Sequence, residues 1–333
     1  MVGMILMPCF SVIIPLYNKG PHIERTINSV LNQTIQDFEI IVIDGGSIDN
    51  GPAVVKSYSD NRITLIVQKG RGVSAARNQA VEYSQSDLIA FLDADDEWMP
   101  GHLETILRLR QDYPAAGAYT TAYQIIEENG FQRWANYKEL PSAPWRGEIP
   151  NYFRSGALGD YPVWTSVVCI PKKVYVEMGG FPEDAWFGED ADLFGKIALK
   201  YPIAFDWYLG GLYHWGAVNR ACKKQIPLEE EPFVKTAKNA VQNDLVSSEI
   251  IDDLNEYVVS KEFDRAVRNL DAGKTWHAIK ILLSLRTKYK RRAQLTLILM
   301  AISHLYHLNQ YLRIKKLNRT GFKTQAPQQP LFE

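Results

Sequence analysis

Three short apolar runs are each followed by residues suited to chemistry on a charged substrate. Asp93-Ala94-Asp95-Asp96 follows Leu88–Leu92, Asp44-Gly45-Gly46-Ser47 follows Phe38–Ile43, and Pro15-Leu16-Tyr17-Asn18 closes Phe10–Pro15. Clustered carboxylates repel unless a cation lies between them, and Mg²⁺ or Mn²⁺ is commonly held by one or two carboxylates plus substrate phosphates. Such a cation suits a diphosphate leaving group, whose developing charge it would neutralise. Arg77, early in the helix after Gly70-Arg71-Gly72, is a candidate phosphate partner, because a guanidinium makes bidentate contacts. Gly188-Glu189-Asp190 opens another helix, and a carboxylate there can act as general base on an attacking hydroxyl. Acids in a first helical turn also simply answer the helix dipole. His214, within Tyr213-His214-Trp215, is a candidate metal ligand or acceptor contact.

The elements that must position these groups follow from periodicity. Phe10–Pro15, Phe38–Ile43, Ile63–Val67 and Leu88–Leu92 are short and rich in Val, Ile or Phe, as strands covered on both faces are. Between the first two, Ile23, Ile27, Val30 and Leu31 share one helical face, and Val73–Tyr83 turns Val73, Ala76 and Ala80 inward. Alternating strands and helices imply an α/β fold whose mostly parallel sheet is flanked by helices. In such a sheet ligands bind outside the carboxyl ends of the strands, so the three polar endings point at one site. From about Tyr119 to Trp164 the pattern loosens and aromatics accumulate. A strand at Ser166–Ile170, a turn at Gly179–Gly180 and a helix at Glu189–Lys200 follow. Beyond Ile226 the sequence is helical, over Pro232–Val246, Asp252–Leu270, Trp276–Leu285 and Ala293–Lys316. The expected domains are residues 1–225 (a nucleotide part over 8–100 and an acceptor part over 101–225) and 226–333.

Composition bounds the rest. The chain has 333 residues, 46% of them hydrophobic and 23% charged, with a net charge of −1 that gives no sign of nucleic-acid binding. The three cysteines are widely spaced and form neither a disulfide framework nor a zinc signature, which favours a reducing compartment. The apolar N-terminus lacks a basic start and reads as a strand, not a leader. The longest apolar stretch after it, Leu295–Leu308, is below the ~20 residues that span a bilayer. Charge is nonetheless asymmetric, because Ala272–Phe332 holds 12 Lys or Arg and no acid. With Arg286, Lys288, Lys290, Arg291 and Arg292 clustered before Leu295, that segment suits either an anionic membrane surface or an apolar face packed on the catalytic domain with its charges solvated. The expected location is therefore cytoplasmic, peripheral on the inner face of a membrane, and a homo-oligomer stays open.

The joint pattern resembles the family 2 glycosyltransferases. It is carried by Phe10-Ser-Val-Ile-Ile-Pro-Leu-Tyr-Asn18, Ser29-Val-Leu-Asn-Gln33, Phe38-Glu-Ile-Ile-Val-Ile-Asp44, Ala75-Ala-Arg-Asn78 and Phe91-Leu-Asp-Ala-Asp-Asp-Glu-Trp98. Gly179-Gly-Phe-Pro-Glu183 and Gly188-Glu-Asp190 continue it, in order, over about residues 8–215. The resemblance implies a GT-A fold, an inverting mechanism and a nucleoside-diphosphate sugar donor, often UDP-linked. It implies that Pro15, Tyr17 and Asp44 hold the nucleoside base, Asp93 approaches the ribose, Asp95 holds the divalent metal, and Asp190 is the base with Glu189 beside it. Leu16, Gly46, Arg77 and Ala94 complete the expected donor contacts. A saccharide or lipid-linked acceptor is expected, with Trp98 and Trp164 among its contacts.

Two departures stand out. Gly45 replaces a frequent second acid, and Lys196 replaces a frequent Arg, which should affect helix packing or acceptor contacts. Gln132-Arg133-Trp134 has the wrong spacing and place for the motif of processive members, so one transfer per encounter is expected. Trp134, Tyr137, Trp145, Tyr152, Tyr161 and Trp164 offer aromatic faces suited to sugar rings, although most such residues pack a domain. A sugar-nucleotide nucleotidyltransferase is the chief rival reading. It should show a Gly-rich, basic phosphate loop after the first strand, where this chain has Leu16-Tyr17-Asn18-Lys19-Gly20. A non-catalytic nucleotide-sugar binding module is the other.

Overall fold

A computed structural model describes residues 7–218, 220, 226, 229–288, 291 and 294–303. In chain order the elements are β1 (Phe10–Leu16), α1 (Gly20–Leu31), β2 (Phe38–Asp44), α2 (Gly51–Lys56), β3 (Ile63–Val67), α3 (Gly72–Tyr83) and β4 (Leu88–Phe91). Then come β5 (Glu97–Trp98), α4 (His102–Asp112), β6 (Ala118–Ile126), β7 (Gln132–Trp134), β8 (Arg146–Glu148), α5 (Tyr152–Leu158), β9 (Val168–Pro171) and α6 (Lys172–Glu177). The last are α7 (Glu189–Lys200), β10 (Ile203–His214), α8 (Pro232–Gln242), α9 (Ile251–Asp271) and α10 (Thr275–Ser284).

The sheet order is β3-β2-β1-β4-β9-β6-β10-β5, with β7 added to β6 and β8 to β10. β1, β2, β3 and β4 are parallel, as alternating strands and helices require. β9 reverses the rule, running antiparallel to both β4 and β6. Its start also differs from expectation, because Thr165–Val167 forms a 3-10 turn before the strand begins at Val168. Successive residues of β1 feed opposite faces: Ile13 joins one core with Ile41, Phe91 and Ala76, while Val12 and Ile14 join another with Ile23, Ile27 and Val30 of α1. Ala76 and Ala80 are small enough to bring α3 close to the sheet, whereas Val73 is only half-buried.

Five strands escape the sequence reading, the short β5, β7 and β8 and the long β6 and β10. β6 buries Thr120 and Thr121 among Ala and Tyr, so it lacks an aliphatic signature. β10 is interrupted by register shifts between Asp206 and Gly211, where it carries Gly210. A Cβ at Gly210 would lie 1.8 Å from Thr121 Oγ1 and 2.5 Å from His102 Nδ1. Glycine therefore lets the strand cross His102, which burial keeps neutral by pushing its pKa down to about 3.

By contact the chain divides into a larger unit, which runs with one short interruption to Lys261, and a smaller one consisting mainly of Glu262 onward. In this division α8 and the first half of α9 fall with the sheet. Phe233 fills the space above Gly195, where a Cβ would lie 2.0 Å from its ring, stacks on Phe153 and packs edge-on against Tyr257. The smaller unit contains α10 and a helical stretch at 294–303, tied by Gln294 Nε2 donating to Leu285 O at 3.0 Å. Most of the expected helix Ala293–Lys316, and Lys290 and Arg292 of the basic cluster, lie outside the described residues. Among the described residues no helix is long and apolar enough to cross a membrane.

Candidate functional site

The first two strand ends are stitched together. Gly45 N donates to Leu16 O at 2.8 Å, and Asn18 N donates to Ser47 Oγ at 3.0 Å. Asp44 caps its own loop, accepting from Ser47 N at 3.0 Å, and Gly46 supplies the left-handed φ of 84° that the loop needs. Tyr17 stands 57% exposed at the mouth, with Pro15 half-buried behind it. At Gly45 a Cβ would come within 2.8 Å of Gln68 Oε1, the far end of a flexible side chain that would have to shift. Leu16 and Ala94 are core residues, so their side chains are unavailable to a ligand and only their backbones reach the site.

Arg77 joins the third strand end to the acidic helix start. Its guanidinium, 4% exposed, reaches Asp93 Oδ1 at 2.7 Å and Glu189 Oε1 at 3.0 Å, and lies 4.9 Å above the Phe181 ring. Burial opposes its charge, but Asp93 and Glu189 outweigh that and hold it protonated. Burial, then the neighbouring Asp190, raises the Glu189 pKa, against the pull of Arg77. Next to Arg77, Asn78 fixes the following turn by donating to Phe181 O at 2.9 Å and accepting from Phe181 N at 3.0 Å.

The metal-candidate loop is held from both sides. α1 grips its carbonyls, with Arg25 Nη2 donating to Asp95 O at 2.6 Å and Thr26 Oγ1 to Asp96 O at 2.7 Å. Asp96 is buried, accepting from Ser166 Oγ at 2.7 Å and from His214 N at 3.0 Å. Burial and the charges of Asp95 and Asp93 raise its pKa strongly. It therefore anchors the loop instead of facing a ligand. Asp95 Oδ2 meets Lys19 Nζ at 2.6 Å, and the same ammonium donates to Val218 O at 2.6 Å. His214 reaches this cluster, but its Nε2 lies 2.9 Å from Glu97 Oε1 and not on Asp95.

Among the described residues no three His, Cys, Asp or Glu side chains converge as a ready-made metal cage. An Mg²⁺-type ion does not require one, since it keeps waters and takes phosphate oxygens. Asp93 and Asp95 offer hard oxygen donors, and Asp95 already contacts one cationic group, so the donor set fits such an ion.

Asp190 sits in the first turn of α7, accepting from Ala191 N at 2.7 Å. Gly188 before it has φ 79°, and a Cβ there would lie 2.7 Å from Glu231 Oε2, so the turn is packed from behind. Lys196 pairs with buried Asp192 one turn earlier on α7 at 2.6 Å, and Asp192 in turn reaches α8 by accepting from Thr236 Oγ1 at 2.6 Å.

Of the acceptor candidates, Trp98 is withdrawn. It is buried in the core, and its indole N–H is spent on the Ser166 carbonyl. Trp164 is half-buried, with ring centroids 4.8 Å from Tyr123 and 4.5 Å from Tyr213. Sequence reasoning missed Lys19 and Glu97, which contact Asp95 and His214, and Arg220. The Arg220 guanidinium lies 4.4 Å from the Tyr213 ring and donates to His214 O at 2.8 Å. Lys19 was visible as a cation straight after a strand-end Tyr-Asn. Arg220 gave no local signal.

Comparison with known proteins bears on this geometry. Residues 11–164 match the family model described as Glycosyl transferase family 2. The chain is 38% identical over 120 residues, 36% of its own length and 47% of the other's, to the Escherichia coli UDP-Glc:alpha-D-GlcNAc-diphosphoundecaprenol beta-1,3-glucosyltransferase WfgD. It is 28% identical over 219 residues, 56% of its own length and 50% of the other's, to the validoxylamine A glucosyltransferase of Streptomyces hygroscopicus subsp. jinggangensis. The chain thus spans half or less of these relatives. The fold is shared with S. aureus TarS 1-349, crystallised in complex with UDP-GlcNAc, at a TM-score of 0.59, 16% identity, 88% of this chain and 79% of that one.

Proposed function

We propose, from the match of residues 11–164 to the model described as Glycosyl transferase family 2, that the chain is an inverting enzyme of that family, moving a sugar from a nucleoside-diphosphate donor to a hydroxyl. The observation that carries this reading is the Arg77 bridge. One buried guanidinium, 2.7 Å from Asp93 and 3.0 Å from Glu189, ties the donor-side carboxylates to the turn bearing Asp190. A leaving diphosphate and an attacking hydroxyl are thereby served from one sheet edge.

In this mechanism the exposed Tyr17 ring, Pro15 and Asp44 take the nucleoside, and the Asp93 end of the loop meets the ribose. Asp95, with Asp93 near it, would hold Mg²⁺ or Mn²⁺; when bound, the ion supplies charge neutralisation to the departing diphosphate. Lys19 must then yield its contact with Asp95, and its ammonium is placed to follow a phosphate oxygen. Asp190 takes the acceptor proton as the oxygen attacks the anomeric carbon from the face opposite the diphosphate, which inverts that centre. UDP is the favoured carrier, supported by the UDP-sugars named for WfgD and TarS. A saccharide on a lipid carrier is the favoured acceptor, supported by the diphosphoundecaprenol substrate in the WfgD name. The basic segment from Ala272 would then face an anionic inner leaflet.

The test is a screen of sugar nucleotides with Mn²⁺ or Mg²⁺ for release of nucleoside diphosphate. Release from one donor, increased by saccharide acceptors, is expected. Formation or consumption of a nucleoside triphosphate, or no release from any donor, overturns the reading.

A further inference from the structure

Away from that site a cavity of about 700 Å³ opens on the larger unit, lined by Arg108, Trp134, Asp206, Trp207 and Tyr208 among others. That volume lies in the range of small-molecule sites. It forms where the register shifts of β10 re-aim side chains between Asp206 and Gly211. Most of its aromatic groups are rigidly held. Trp207 donates its indole N–H to Pro141 O at 2.8 Å and packs edge-on against Tyr137 and Phe205. The Tyr208 hydroxyl accepts from Gly101 N at 2.9 Å, while Asp206 Oδ1 accepts from Tyr208 N at 2.7 Å. Trp134, by contrast, is 47% exposed at the rim.

A packed row of rings leads from this cavity to the candidate site. Trp207 lies 5.3 Å from Tyr137, Tyr137 5.8 Å from Tyr123, Tyr123 4.8 Å from Trp164, and Trp164 4.5 Å from Tyr213, the neighbour of His214. Along β10, Asp206 and His214 are eight residues apart, so the span is at most about 26 Å at about 3.3 Å per residue.

We infer that this cavity is a saccharide-binding subsite holding a distal part of the acceptor's glycan chain. The inference rests on the glycosyl-transfer reading above. A sugar ring has an apolar C–H face and a rim of hydroxyls. Rigid aromatic faces suit the first, and the Arg108 guanidinium with the Asp206 carboxylate suits the second as donor and acceptor. A phosphate-bearing ligand fits poorly, because Asp206 would repel it. A wholly apolar ligand would desolvate both charges. The span to the site requires a ligand several sugars long.

The experiment uses the full chain on an array of oligosaccharides of one to eight sugars, drawn from bacterial polysaccharides and neutral glucans. UDP titration with Mn²⁺ runs in parallel. Binding of longer chains over mono- and disaccharides is expected, reduced about tenfold or more by Trp134→Ala and by Arg108→Ala. Both positions are exposed and UDP binding should not change. No oligosaccharide binding by the wild type, or binding that neither substitution weakens, overturns the subsite. Absence of UDP binding alongside Trp134-dependent glycan binding counts instead against the transfer reading.

Discussion

From Phe10 to Val67 each strand pairs in parallel with the next one along the chain, joined by a single helix. From Ala118 to His214 the neighbours are distant and mixed: β6 lies antiparallel to β9 and parallel to β10. The first region presents its chemistry on loops that strand ends aim outward, and those loops are fixed by backbone and short side-chain bonds. The second is set by ring packing and by glycines that let strands pass closely. In the first, local sequence dictates the site. In the second, function depends on contacts that no short window contains.

The largest expected effect tests whether the two regions meet in one reaction. Asp190→Asn should lower transfer about 10²–10⁴-fold while leaving donor affinity nearly intact, because a base acts on the acceptor and not on the nucleotide. Rate measurements alongside calorimetric donor binding would show it. Loss of donor affinity with an unchanged rate would assign the turn to the donor side.

Arg77→Ala severs the link between the regions directly. It leaves Asp93 and Glu189 facing each other without their cation, for which about 3–5 kcal/mol of lost stability is expected from breaking a buried ion pair. Chemical denaturation would measure it, and a change below about 1 kcal/mol would mean the pair is effectively solvated.

Gly195→Ala probes the second region alone. Its Cβ would meet Phe233 at 2.0 Å, so overpacking of about 1–3 kcal/mol is expected, with donor binding unchanged. A neutral outcome would mean that α8 is loosely attached.

The smallest effect concerns pH. Burial beside Asp190 raises the Glu189 pKa, so the folded chain holds that proton more tightly than the unfolded chain. Its contribution to stability is complete below the ordinary Glu range and is lost as pH rises through the raised value. The melting temperature of Glu189→Gln should therefore gain on wild type as pH rises from about 4, the ordinary Glu range, through the raised value. A gap that moves the other way would mean that Arg77 dominates the Glu189 carboxyl.

The sequence was legible where periodicity and chemistry coincide. β1, β2, β3 and β4, the helix at Glu189–Lys200 and the three polar strand ends could be read because each needs only a few consecutive residues. β6 was hidden by its buried threonines and β10 by the glycines at its crossing. Trp98 looked like a sugar platform because its burial depends on residues far along the chain. Lys19 against Asp95 and Arg220 on Tyr213 join positions roughly 76 and 7 apart through loop geometry, which spacing does not encode.

On the proposed reading, carboxylates at the strand ends bind a nucleoside diphosphate through a divalent cation. Calorimetric titration of UDP into the wild type and Asp95→Ala, with Mn²⁺ and with chelator, tests it most directly. Wild-type binding should weaken at least about tenfold without the cation, and binding by the variant should be weak and indifferent to it. Equal binding by both proteins, with or without Mn²⁺, would contradict it.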